Sequence, residues 1–287
     1  MKMHIGGQWV DRSEKIEVLN PFSGSIIDTI PRSSQQDVET SLKTAEHGAE
    51  IMAKMTGYER YEIIHKVSEI MAERVEELAQ IITSEEGKTL AEATVEASRA
   101  IEIIALSGEE AKRLSGEVVP LEGGPGVKDK FGFTMRIPCG IVVGISPFNF
   151  PLHLVCHKVG PALAAGNTLV LKPAETTPLT ALILADILRE ADLPPGVVNI
   201  VTGDGDVGKQ LVRHPGIDKI AFTGSTVVGK EIMRALAGKS RRFTLELGGK
   251  AANIIFADAA IDQAIEGIVN SIFFNQGHVC CAGSRLF

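Results

Sequence analysis

Gly140-Ile141-Val142-Val143-Gly144-Ile145-Ser146-Pro147-Phe148-Asn149-Phe150-Pro151 is the stretch on which the reading of the fold turns. The run Ile141 to Ile145 has no polar position, stops at a Ser-Pro turn, and leads into a helical pattern from Val155 to Ala165. A strand that is apolar at every position is covered on both faces, as strands of a parallel sheet between helices are. The arrangement recurs. Thr168 to Leu171, Val197 to Val201 and Lys219 to Phe222 each run into a Gly- or Pro-containing turn, and helical patterns follow at Pro178 to Glu190, Val207 to Val212 and Gly229 to Ala237. Repeated strand-helix-strand units predict an α/β fold with a doubly wound parallel sheet. Ligands of such sheets lie at the carboxyl ends of the strands, so the residues just after each strand are the first candidates for function.

Several of them carry usable chemistry. Asn149 sits between two aromatics and two prolines directly after a strand, a rigid setting in which its amide either satisfies the turn or donates to a developing oxyanion. Lys172 and Glu175 follow the strand Thr168 to Leu171; they form a plain exposed ion pair or hold a ribose diol, the lysine donating and the glutamate accepting. Gly203-Asp204-Gly205-Asp206-Val207-Gly208 fits G-x-G-x-x-G, but it follows a late strand and places two aspartates where a phosphate would lie. Gly224-Ser225-Thr226-Val227-Val228-Gly229-Lys230 begins like a P-loop and fails at Glu231, where a hydroxyl should meet magnesium. Nucleotide hydrolysis is therefore excluded, and a glycine turn at a helix N-terminus facing a phosphate-bearing cofactor is preferred. Glu246, between two leucines and before Gly248-Gly249, is expected to be buried and raised toward the pKa of a general base, with pairing to Lys250 as the alternative.

Toward the amino terminus, short apolar runs and turn residues from Ile5 to Ile30 suggest a few strands on one edge of the fold. Ser34 with Asp37 resembles an N-terminal cap for a helix reaching about Lys54, a second helix is expected from Glu59 to Ile82, and a third from Leu90 to Leu106 after Gly87. His65 reads as a helix-face histidine. Gly116 to Ile137 reads as a hairpin with alternating Phe131, Phe133, Met135 and Ile137, covered by a second copy or by its own domain.

With 44% hydrophobic residues in 287, the chain buries a large core. Its 36 acidic and 29 basic residues give a net charge of -7 without any basic block, which argues against a nucleic-acid surface and for a small-molecule ligand. No leader pattern and no long apolar run is present, so a cytoplasmic location without membrane contact is expected. Cys139 and Cys156 stand alone and Cys280 is adjacent to Cys281, a spacing that suits neither a disulfide framework nor a C-x-x-C metal site. Reduced thiols are expected. Cys280 and Cys281 follow a Gln276-Gly277 turn, where each is either a buried structural thiol or a poised nucleophile.

Together these motifs resemble the NAD(P)-dependent aldehyde dehydrogenase superfamily, from Ile5-Gly6-Gly7-Gln8-Trp9-Val10 through Glu86-Gly87-Lys88 to Phe274-Asn275-Gln276-Gly277 and Gly283-Ser284-Arg285. The resemblance implies a Rossmann-like cofactor domain (1–119 and 139–248), a bridging and oligomerising hairpin (120–138), and the start of a truncated α/β catalytic domain (249–287). It implies that Cys280 is the nucleophile, that Asn149 and the Cys280 backbone N–H form the oxyanion hole, that Glu246 activates the deacylating water, and that Lys158 relays protons. Lys172 and Glu175 would hold the adenosine ribose, Gly205 would lie near the adenine, Gly224 and Ser225 would face the pyrophosphate, and Ile145, Ser146, Val228 and Leu247 would line the cofactor. The implied reaction oxidises a small aldehyde to a carboxylic acid through a cysteine thiohemiacetal and thioester, with no metal. Glu246 implies hydrolysis rather than acyl transfer to coenzyme A. NAD is preferred to NADP because Glu175 would repel a 2'-phosphate. His153 and His157 resemble relatives acting on short polar aldehydes such as lactaldehyde. A homodimer or homotetramer is implied for the complete enzyme. Family members usually continue well beyond the nucleophile, so the alternative is a nucleotide-binding fragment without turnover.

Overall fold

A computed structural model describes residues 1–287. The amino-terminal strands β1 (Met3–Ile5) and β2 (Gln8–Val10) form an antiparallel hairpin at one edge of the main sheet, as the turn-rich opening suggested, while β3 (Lys15–Leu19) and β4 (Ile26–Pro31) make a separate two-stranded ribbon. Helix α1 (Gln35–Met52) starts with the expected capping box: Ser34 accepts from the Asp37 N–H, and the Asp37 carboxylate accepts from Ser34. Such a cap contributes about 1 kcal/mol.

The expected single helix from Glu59 to Ile82 is two helices, α2 (Gly57–Glu73) and α3 (Val75–Glu86). Arg74 leaves helical geometry (φ -104, ψ 18), and its guanidinium is fastened to Glu77 and Asp186. Long-range ion pairing and the packing of α3 on its neighbours override an unbroken apolar period, a tertiary effect the pattern cannot report. Gly87 ends α3 in the left-handed region (φ 92), where a Cβ would lie 2.7 Å from Pro21 Cγ. Helix α4 (Leu90–Ala111) makes the helical region four helices rather than three.

The hairpin is present but slight. β5 (Val118–Val119) and β6 (Gly132–Phe133) pair over two residues each, so the alternation of Phe131, Met135 and Ile137 is not a long strand, and these side chains are exposed rather than covered by their own domain.

From Ile141 the chain follows the repeating pattern. β7 (Ile141–Ile145), α5 (His153–Ala164), β8 (Thr168–Lys172), α6 (Leu179–Glu190), β9 (Val198–Ile200), α7 (Gly205–Arg213), β10 (Lys219–Gly224), α8 (Thr226–Leu236) and β11 (Arg242–Leu247) alternate without interruption. The seven-stranded sheet has the order β11-β10-β7-β8-β9-β1-β2, and β7 to β11 pair in parallel. One large apolar cluster packs α2 to α6 on one face, with Val155, Leu171 and Leu182 at its centre. A second, on the other face, joins α1, α7 and α8 through Leu42, Leu211 and Ile232. The chain proceeds outward from β7 to β8 and β9, then returns to the other side of β7 as β10. This reversal makes the carboxyl ends of β7 and β10 the place where a crevice opens. Residues after β11 add β12 (Ala252–Asn253), α9 (Ile261–Phe273) and β13 (Arg285–Leu286).

Candidate active site

Every sequence-nominated residue lines one cleft of about 2050 Å³ at the carboxyl edge of the sheet: Cys280, Glu246, Asn149 and Lys158, together with Ile145, Ser146, Lys172, Glu175, Gly205, Gly224, Ser225, Val228 and Leu247. Residues separated by 135 positions in sequence meet because the strand order reverses there.

The cysteine end is built by an unusual turn. After α9, Asn275 (φ 50), Gln276 (φ 59) and Gly277 (φ 78) are consecutively left-handed. Two non-glycine residues in this region cost on the order of 1–3 kcal/mol each, so neighbours must hold them. They do. Asn275 is fully buried; its N–H donates to Glu92 Oε1 (2.9 Å), and its side-chain amide donates to the Asn149 carbonyl (3.0 Å) and the His278 carbonyl (3.3 Å). The Asn149 amide in turn donates to the His278 carbonyl (2.6 Å), two residues before Cys280. All four cysteines are free, and Cys280 and Cys281 are exposed. Although the residue is largely exposed, partial desolvation of the Cys280 thiol, reinforced by its contact with Cys281, lifts it above the ordinary value, which favours the thiol form at neutral pH.

Lys158, buried on α5, donates to Thr223 Oγ1 (2.7 Å). Burial brings it down to about 8, opposed by the Glu246 carboxylate. Thr223 and Glu246 are register partners on β10 and β11, which places the three groups together. Glu246 itself is exposed in this chain, contrary to the expected burial between its leucines. β11 is the outermost strand of the sheet, so alternation leaves this side chain uncovered.

At the other end, Lys172 is buried and donates to the Pro173 carbonyl (3.0 Å) and to Glu175 (3.2 Å), whose side chain is 47% exposed. This is a half-buried pair, not the fully exposed one of the simpler sequence reading. Desolvation lowers Lys172, with Glu175 and then Asp204 opposing. The Gly203 to Gly208 turn is occupied by its own side chains: Asp204 caps α7 by accepting from Asp206 N–H (3.0 Å) and pairs with Arg32 (2.7 Å). Anion binding there is already satisfied internally, whereas nothing lies within 4 Å of a Cβ built on Gly205. Ser225 caps α8 by accepting from Val228 N–H (3.3 Å). A Cβ on Gly224 would lie 2.5 Å from the Phe222 ring, and Gly229 brings α8 against Leu247. The Ser146 hydroxyl is buried in the cleft wall without a partner.

Four residues that motif reading gave no role support this site: Lys88, Glu96 and Asn275 lie behind the wall, and Thr223 lines it. A charged pair eight residues apart carries no spacing signal, and only the Glu86-Gly87-Lys88 tripeptide hinted at it.

Comparison with known proteins agrees with the geometry. The chain matches the model of the aldehyde dehydrogenase family over residues 9–287 and belongs to that family. A 3-sulfolactaldehyde dehydrogenase of Priestia megaterium is 41% identical over 286 residues, which cover 99% of this chain and 59% of that protein. The NAD+ complex of an aldehyde dehydrogenase from Bacillus cereus superposes with a TM-score of 0.96 at 39% identity, covering 100% of this chain and 58% of the other. An NADP-dependent enzyme of E. coli gives 0.95 at 38% identity over 99% and 59%. The chain thus spans about three-fifths of the length of the relatives it matches. The α/β fold with a Rossmann-like parallel sheet agrees with the sequence reading.

Proposed function

We propose that the protein oxidises an aldehyde to a carboxylic acid, with Cys280 as nucleophile and a nicotinamide dinucleotide in the cleft. The observation that carries this reading is the hydrogen bond from the Asn149 amide to the loop delivering Cys280, in the same cleft as Lys172 and Glu175. The residues fit the cofactor. A buried, unpartnered Ser146 hydroxyl, the buried Lys172 ammonium with its neighbouring carboxylate, and open space over Gly205 supply donors, an acceptor and room along one wall. When bound, the nicotinamide supplies the acceptor for a hydride.

The Cys280 thiol loses its proton to water, the thiolate Sγ bonds to the carbonyl carbon as the carbonyl π pair moves to oxygen, and the Asn149 amide with the Cys280 N–H stabilises that oxyanion. After loss of hydride the acyl group is a thioester. Glu246 takes a proton from water, the hydroxide adds to the acyl carbon, and the carbon–sulfur bond breaks to release the acid and the thiolate. Lys158, near 8, exchanges protons close to neutrality, and the nearby Glu246 is its natural correspondent. NAD is favoured over NADP because Glu175 places a negative charge at the ribose end.

A short polar aldehyde suits the remaining wall, where Arg99, His153 and His157 face the cleft; the Priestia relative carries the name of such a substrate. Burial lowers His153 to about 4, so it serves as a neutral hydrogen-bonding group. A cytoplasmic homodimer or homotetramer, assembled partly through the exposed Phe131, Phe133 and Met135, completes the proposal; no helix is long and apolar enough to cross a membrane. The second reading, NAD binding without turnover, draws on the exposure of Glu246 and on α9, which has no buried residue. Aldehyde-dependent NADH formation by the protein expressed from its complete reading frame tests both. Turnover abolished by Cys280→Ala supports the dehydrogenase, turnover surviving that change refutes it, and calorimetric NAD binding with no turnover supports the second reading.

A further inference from the structure

We propose that Lys88 and Glu96 are positioning residues for Asn149, an inference that rests on the oxyanion role given to Asn149 above. Lys88 has no exposed side-chain surface, and Glu96 has 1%. Their ion pair (2.5 Å) sits against the back of the turn that carries Asn149, and each partner grips a different end of it. Lys88 Nζ donates to the Asn149 carbonyl (2.9 Å) and lies 4.1 Å from the centre of the Phe150 ring. Glu96 Oε1 accepts from the N–H groups of Leu152 (2.9 Å) and His153 (3.1 Å), at the start of α5, a helix with no cap of its own.

Burying two charges is costly unless every hydrogen bond is made, so a buried pair is weak evidence of stability, and this one is read as fixing a geometry. Here the geometry fixed is that of one residue. Pro147 and Pro151 restrict the ends of the turn, but the orientation of the Asn149 peptide is free unless its carbonyl is held. Lys88 and Asn275 hold it from two sides, leaving the side-chain amide directed at the His278 carbonyl. The same clamp therefore aligns the donor and the loop of the nucleophile.

The test is a double-mutant cycle in the protein expressed from its complete reading frame. Lys88→Met is expected to lower kcat about 10- to 100-fold with KM changed less than about threefold, because the donor matters most in the transition state. In an Asn149→Ala background the same change should cost less than about threefold in kcat, since the group it positions is gone. An equal loss in both backgrounds would overturn the proposal, and so would unchanged kcat in Lys88→Met. If Asn149→Ala alone leaves turnover intact, the oxyanion reading falls first and the two failures are told apart. Glu96→Gln, which keeps the size and one acceptor, serves if Lys88→Met does not fold, with the same expected non-additivity. Independently of activity, the side-chain amide signal of Asn149 in the 287-residue chain should exchange with solvent about tenfold faster in Glu96→Gln; unchanged exchange would count against the clamp.

Discussion

As the proposed nucleophile, Cys280 should be sluggish until something activates it. Partial desolvation and the neighbouring Cys281 keep the thiol of this largely exposed residue above its ordinary value. Since the thiolate is the attacking species and the thiol is held above its ordinary value, alkylation should be slow at pH 7 and keep accelerating with each pH unit up to 9. The perturbation is pH, and the assay is iodoacetamide labelling of the 287-residue chain followed by peptide mass spectrometry. Cys156, fully buried with its thiol pushed far up, should remain unlabelled and act as an internal control. Replacing Cys281 by Ser removes one of the groups that raise Cys280 and should increase the rate at pH 8. A rate profile that levels off below pH 8 would refute the reasoning, because it would mean that the turn after α9 already activates the thiolate. The expected profile instead assigns activation to a group that acts when substrate or cofactor is bound.

Glu85 reaches from α3 to the start of α6, where it accepts from the Leu179 N–H (2.7 Å), the Thr180 N–H (2.9 Å) and the Thr180 hydroxyl. Glu85→Ala strands these donors and should cost about 3–5 kcal/mol in urea unfolding; a loss below about 1 kcal/mol would contradict the role. Burial pushes both Glu85 and Glu86 up to about 7, above the ordinary 4.5. Their contribution is therefore full below pH 4.5 and lost as pH rises through 7, so the urea midpoint should be higher at pH 5.5 than at pH 8, with a smaller difference in Glu85→Gln. At the cofactor end, Lys172→Met should weaken NAD binding about tenfold by calorimetry, the effect of losing one charged hydrogen bond; Glu175→Gln should improve NADP binding relative to NAD. Equal changes for both cofactors in Glu175→Gln would remove the charge argument.

Much of the scaffold was legible because its signals are local. The uniformly apolar Ile141–Ile145 and the apolar run Leu169 to Leu171 within β8, the Ser34–Asp37 box and the Gly87 stop each write their structure into a few adjacent residues. The break at Arg74 was not legible, since it depends on Asp186, 112 residues away. Nor was the exposure of Glu246, because a Leu-Glu-Leu pattern does not say whether its strand is central or outermost. The candidate site shows the same division. Motif order nominated Asn149, Lys172, Glu246 and Cys280, since each lies at the end of a strand or on the turn beyond one or a helix, with its chemistry in its own side chain. The groups that hold Asn149 and Lys158 came from elsewhere: Lys88 and Glu96 from the helical region and Asn275 from a left-handed turn for the first, Thr223 from a neighbouring strand for the second.

By itself, then, the amino-acid sequence determined the alternation of strands and helices and nominated the side chains proposed to react, because apolar periodicity, caps and turn residues act over a few positions. Only the tertiary structure decided which strands stand beside β7, which carboxylates are buried, and what fixes the Asn149 amide, because those outcomes depend on contacts between segments whose pairing is selected by the packing of the whole sheet.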